Sequence, residues 1–130
     1  MTLREHSVLV DSSIFIGCMR QGIDPLDHLL TRFPLSGLVT CGVVKTEVLR
    51  GIKSIKFRDR LDGLFQVMRS VQTNAKLWDQ AWQLAWKMDR QGRTIPLTDI
   101  VIAACAIEEG AAVLTHDRHF GLVPGLRVLS

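Results

Sequence analysis

A chain of 130 residues, 47% hydrophobic and 22% charged, has the size of one domain over residues 1–130 and is too apolar to be disordered. Its three cysteines, Cys18, Cys41 and Cys105, form no CxxC pair and no even set, which argues against a disulfide framework and reads as reduced thiols, two of them in the core. A net charge of +3 and a pI of about 9.0 suit a polyanionic partner without requiring one. A polar start from Met1 to His6 and the lack of any long apolar run point to a soluble, cytoplasmic protein without a membrane segment.

In chain order, Ser7 to Val10 is an apolar run stopped by Asp11 and reads as a buried strand. Asp24-Pro25 starts a helix, with Asp as N-cap and Pro in the first helical position. That helix is expected to reach about Arg32, with Leu26, Leu29 and Leu30 on one face. Gly37 to Cys41 reads as a second strand and Gly42 to Leu49 as a helix carrying Val43, Val44 and Val48. The stretch RGIKSIKFRDR, residues 50–60, sets Arg50, Lys53, Lys56, Arg58 and Arg60 against the single acid Asp59. Val67 to Val71 reads as a short strand. Asn74 caps a helix over Ala75 to Gln91, where Leu77, Ala81, Leu84 and Met88 recur at helical spacing, flanked by Trp78, Trp82 and Ala85. The whole stripe is assigned to the core. Thr98 caps a helix from Asp99 to Glu109, and Gly110 ends it. Every residue from Ile100 to Ile107 is apolar, so this helix is expected to be buried nearly all round. Strands at Ala111 to Leu114 and Leu126 to Leu129 complete the chain. Short apolar strands alternating with helices predict an α/β fold of three layers, a central mostly parallel sheet with helices on both faces.

In such a sheet the C-terminal ends of the strands share one edge, where sites form. Four acids belong there. Asp11 ends the first strand. Asp117 follows the strand Ala111 to Leu114. Asp99 opens the helix that feeds that strand, and Glu47 lies about one turn into the helix after the second strand. Each has an ordinary reading alone: a turn residue, a solvated helix residue, or for Asp99 an acid favoured by the helix dipole. Together they repel one another, and a hard divalent cation with oxygen ligands relieves that repulsion. Such an ion activates water and stabilises charge on a phosphoryl oxygen. Ser12, Ser13 and Thr115 supply hydroxyls that orient carboxylates or cap turns.

The segments VLVDSSIFI, VVKTEVLRG and LTDIVIAACAIEEGAAVLTHDRHF resemble the PIN-domain ribonucleases, specifically the VapC-type toxins of toxin–antitoxin pairs. The matching features are Asp11-Ser12-Ser13, then Glu47 with Leu49 and Gly51, then Asp99 with Ile102-Ala103-Ala104, then Thr115, Asp117 and Phe120. The resemblance implies a PIN-like fold and a metal-dependent endoribonuclease using Mg²⁺ or Mn²⁺. It implies Asp11 and Asp99 as the most dependable metal ligands, Glu47 and Asp117 completing the catalytic cluster, and Ser13 and Thr115 supporting it. It further implies a cognate VapB-like antitoxin whose tail blocks the site, a homodimer, and contact with operator DNA only through the antitoxin.

One departure is visible. Many relatives carry another acid where this chain has His119, which leaves the second metal position open or gives His119 a role near substrate phosphate. Arg118 and His119 are expected at the rim, and His116 and His119 lack a third partner for zinc. Residues 50–60, with Arg90 and Arg93, suit an RNA backbone, a solvated surface or an antitoxin contact. With no Tyr and its tryptophans on one helix stripe, the chain is expected to lack an aromatic platform for bases. The competing readings are a non-catalytic PIN-fold module that holds RNA or protein, and a receiver-type phosphoacceptor domain. The second lacks its adjacent acid pair after the first strand.

Overall fold

The computed structural model describes residues 6–130, so most of the polar start, Met1 to Glu5, lies outside the described residues. Five short strands, β1 (Val8–Val10), β2 (Leu38–Cys41), β3 (Arg69–Val71), β4 (Ala112–Leu114) and β5 (Val128–Leu129), form one sheet in the order β3-β2-β1-β4-β5. Every neighbouring pair is parallel. The connecting helices are α1 (Ser12–Arg20), α2 (Pro25–Leu30), α3 (Gly42–Leu49), α4 (Ile55–Val67), α5 (Ala75–Arg90) and α6 (Leu97–Glu109).

The chain winds outward from β1 to β3, then returns across the sheet to β4. With right-handed crossovers this reversal puts α1–α4 on one face and α5 and α6 on the other. The reversal opens a crevice between the C-terminal ends of β1 and β4, the place where open α/β sheets form sites. Register makes this concrete: Val10 pairs with Leu114, so Asp11 and Thr115, one residue further along each strand, sit side by side.

Local chemistry explains most element boundaries. Asp24 caps α2 by accepting from the Leu26 amide at 2.9 Å, with Pro25 behind it, and Asn74 caps α5 by accepting from Leu77 at 3.0 Å. Gly110 ends α6 in the left-handed conformation at φ 70°, which glycine adopts without a side-chain clash. β1, β2 and β4 are buried along their whole length, as strands covered on both faces must be. From Asp99 to Ala106 α6 is buried without a break, and only at Ile107 does it return to the surface. Its small residues let it lie close to its neighbours. A larger side chain at Ala103, which has no exposed surface, is expected to cost ~1–3 kcal/mol through overpacking.

Several expectations need correction. Two helices went unseen: α1, a short segment that follows β1 directly and contains Gly17, and α4, hidden within and beyond the basic stretch. α4 is capped by Ser54 and buries Leu61, Leu64 and Phe65, the last of which meets Phe15 of α1 with ring centroids 5.2 Å apart. Val67 ends α4 and does not start a strand. α6 begins at Leu97, with Pro96 as its cap residue, so Thr98 lies in the first turn and makes no cap bond. All three cysteines are buried and free. On α5 the buried face is Leu77, Ala81 and Met88, and the tryptophans do not share it. Trp78, Trp82 and Trp86 are 47%, 59% and 54% exposed. No helix among the described residues is long and apolar enough to cross a membrane.

Candidate active site at the switch of the sheet

Asp11 leaves β1 as the N-cap of α1 and is only 4% exposed. Its Oδ2 accepts from Ser13 Oγ at 2.7 Å and from Thr115 Oγ1 at 2.9 Å. Both hydroxyls act twice. Ser13 Oγ accepts from the His116 amide at 3.0 Å, and Thr115 Oγ1 accepts from the Asp117 amide at 2.8 Å. The ends of β1 and β4 are thereby tied together through one carboxylate and two hydroxyls. Asp117 caps the 3₁₀ turn Arg118–Leu122 by accepting from the His119 amide at 2.9 Å, and Phe120 anchors that turn in the core.

The turn brings the His119 ring back over the acids. Its Nδ1 lies 3.1 Å from Asp99 Oδ2 and 3.1 Å from Asp117 Oδ1. Asp99, Asp117 and His119 each offer a ligand atom, all within 4.8 Å of one another. His119 therefore touches both acids while its side chain stays 47% exposed, as a rim position expects, and His116 packs over Gly17 of α1 and is absent from that triple. The HxxH spacing could not distinguish the two. The signal lay in Asp117, whose capping of the next turn aims the residue two positions later back toward Asp99.

Asp99 is 8% exposed in the first turn of α6. Burial raises its pKa above the ordinary carboxylate value. The hydrogen bond from His119 opposes that, and the charges of Asp117 and Asp11 add to it. Glu47, on α3, is raised too. Burial is again the main cause, opposed by a hydrogen bond with Ser12, reinforced by Asp11 and Asp99, and relieved by Arg50. So although Asp11 and Glu47 lie outside the close triple, each acts electrostatically on Asp99 or is acted on by it. Glu47 has a further feature: its Oε1 is buried with no hydrogen-bond partner among the described residues. Such an atom is costly unless something fills its place.

Carboxylate oxygens joined by one imidazole, mutually repelling and holding an orphaned oxygen, fit a hard divalent cation. Around the cluster, a groove runs along either side of Glu47. One is lined by Ile16, Met19, Ile52, Lys53 and Phe57. The other is lined by Arg50, Thr73, Trp78 and Thr98. The basic stretch is divided between roles. Arg58 pairs with Asp59 and Arg60 with Asp24, while Arg50 and Lys53 face the grooves.

The family model for the PIN domain matches residues 8–126. The chain belongs to the PIN domain family. Solved structures with this fold include DNA-bound VapBC from Salmonella typhimurium, at 18% identity and a TM-score of 0.78, covering 94% of this chain and 96% of that one. VapBC2 from Rickettsia felis, bound to a fragment of its promoter DNA, is similar at 20% identity and a TM-score of 0.74, covering 93% and 96%. VapC20 from Mycobacterium tuberculosis, a toxin that cleaves the sarcin–ricin loop, is 20% identical with a TM-score of 0.71, covering 95% and 100%. No curated protein matches the chain. The PIN fold thus accounts for a sheet whose switch point gathers acids from β1, α6 and the turn after β4, with Glu47 of α3 beside them.

Proposed function

We propose that residues 1–130 form a single PIN nuclease domain, a metal-dependent endoribonuclease that hydrolyses RNA phosphodiester bonds as the toxin of a type II toxin–antitoxin system. One observation carries the reading: at the switch point Glu47, its pKa raised by burial and by the charges of Asp11 and Asp99, keeps a buried carboxylate oxygen with no partner among the described residues. A binding module needs no such unfavourable arrangement.

In this reading Asp11, Glu47, Asp99 and Asp117 hold Mg²⁺ or Mn²⁺, and Ser13 and Thr115 keep Asp11 and Asp117 in place. When bound, the ion supplies Lewis acidity to the phosphoryl oxygen and lowers the pKa of water. The rest falls to the chain. Asp11 is locked by two hydroxyls, so it presents one fixed oxygen lone-pair set. Glu47 and Asp99, whose pKa values burial raises in the metal-free protein, would accept a proton from attacking water through a carboxylate oxygen that the ion leaves free. Arg50 and Lys53 meet the RNA backbone on either side of Glu47. The VapBC complexes among the structural neighbours support a VapB-like antitoxin partner through which the protein reaches DNA; a homodimer, operator contact only through the antitoxin and action in the cytoplasm belong to the same proposal.

The test is cleavage of a panel of structured RNAs with Mn²⁺ and with chelator, for wild type and Asp11→Asn. Metal-dependent cuts by wild type alone are expected. RNA retained but never cut by either protein would mean a non-catalytic module. Stable aspartyl phosphate from a small phospho-donor would mean a receiver domain.

A further inference from the structure

The three exposed tryptophans of α5 recur at i, i+4 and i+8, yet their surroundings differ. Trp82 donates its indole N–H to Asp79 at 3.4 Å. Trp86 lies beneath the guanidinium of Arg90, 5.1 Å from the ring centroid. Trp78 has neither kind of partner among the described residues and is 47% exposed. It alone of the three lines the groove of about 420 Å³ that also exposes Glu47, Arg50, Thr73 and Thr98. Glu47 links this groove to the acidic cluster, since it lines the groove and is acted on electrostatically by Asp11 and Asp99.

A flat, unpartnered indole, a guanidinium and three hydroxyls, with Thr46 supplying the third, form a combination with a distinct chemistry. The indole offers a stacking face to any nucleobase. The hydroxyls offer donors and acceptors to a base edge or a 2′-hydroxyl. Arg50, exposed at the rim, offers charge to a phosphate. The volume falls in the range of small-ligand sites and accommodates one nucleotide. A second copy of the chain docking on the ridge would draw equally on Trp82 and Trp86, which already have partners of their own.

We propose that this groove is a nucleotide subsite of the RNA substrate, in which the base next to the cleaved phosphate stacks on Trp78 while Arg50 holds the adjoining phosphate. The proposal rests on the nuclease reading and sharpens it: Trp78 is a specificity-determining residue, and the unpaired, splayed-out nucleotide is what it selects.

The experiment uses the full chain as wild type, Trp78→Ala, Trp78→Phe and Trp82→Ala. The probes are ten-nucleotide RNAs, each with one abasic position. Binding is followed by fluorescence with the metal chelated, cleavage is measured with Mn²⁺, and mass in solution is measured by sedimentation. Trp78→Ala is expected to raise KM about tenfold with kcat little changed, Trp78→Phe to keep most of the affinity, and Trp82→Ala to behave as wild type. One abasic position is expected to weaken wild-type binding by a similar factor and to leave Trp78→Ala unaffected. Equal KM for wild type and Trp78→Ala, or abasic losses that are the same in both, would overturn the subsite while leaving the nuclease standing. A loss of mass in Trp78→Ala and Trp82→Ala alike would overturn it in favour of contact between copies. A wild type that neither binds nor cuts any probe would remove the nuclease reading and the subsite together.

Discussion

Asp11 and Glu47 are both acids of the same crevice, and the protein treats them in opposite ways. Asp11 is nearly inaccessible, yet its charge is met: two hydroxyls donate to one oxygen, and those hydroxyls in turn accept backbone amides. Glu47 is less buried, yet one of its oxygens is left with nothing, and burial together with Asp11 and Asp99 pushes its pKa up. A satisfied carboxylate is a structural joint as well as a ligand. An unsatisfied one is costly to keep, and its chemistry fits a cation. Substitutions at the two kinds of acid should therefore separate stability from activity.

The largest expected effect is on activity, at Asp99. Replacing it by Asn removes a raised, repelled charge without removing a cap, because α6 is not capped by its side chain. Cleavage in Mn²⁺ should fall below detection while the thermal midpoint of the metal-free protein stays or rises. A marked drop in that midpoint would show that Asp99 serves the fold. Asp11→Ala makes the opposite comparison. It should also abolish cleavage, but it removes the N-cap of α1 and strands two hydroxyls, so the chain should lose ~1–2 kcal/mol in denaturant unfolding.

Thr115→Val comes next, a near-isosteric change that removes one hydroxyl and leaves every acid in place. It breaks the bond to Asp11 and orphans the Asp117 amide. Supporting partners of metal ligands typically carry a 10–100-fold effect on metal affinity. A weakening of about that size should appear in Mn²⁺ titrations, with a stability cost of ~1–3 kcal/mol. Unchanged Mn²⁺ affinity would mean that Thr115 only ties the strands.

How much of this could be read from the sequence follows from the range of the forces involved. The parallel sheet, α3 and α6 were legible because buried strands and an all-apolar helix leave a local pattern. The convergence of Asp11, Asp99 and Asp117 was legible because topology puts strand ends on one edge. α1 was missed because it follows β1 after a single residue and contains Gly17, and α4 because its start lies in a run of basic charge that reads equally as a solvated surface. The tryptophans were assigned inward because a helical stripe does not say which shoulder faces solvent, and α5 turns Leu77 and Met88 to the core instead. The contact of His119 with Asp99 was not legible, because the ring's orientation depends on a capping bond and on an acid 20 residues away.

The smallest expected effect is the pH dependence of the metal-free fold, and its sign is specific. Asp99 and Glu47 have folded-state pKa values raised above their ordinary ones. Between the ordinary value and the raised one the folded chain binds more protons than the unfolded chain, so stability falls as pH rises through that window and levels off above it. Asp62 runs the other way: its pairing with Lys45 lowers its pKa, so a single melting curve mixes the two trends. The difference between wild type and Asp99→Asn isolates the cluster. That difference should grow with pH through the window in chelator, in favour of the variant. It should shrink or reverse when Mn²⁺ is added, because an ion that binds only the folded state of wild type stabilises it by mass action. A difference that stays flat with pH in chelator would mean that the acids of the crevice are not in electrostatic conflict, and the contrast between Asp11 and Glu47 would then lose its physical basis.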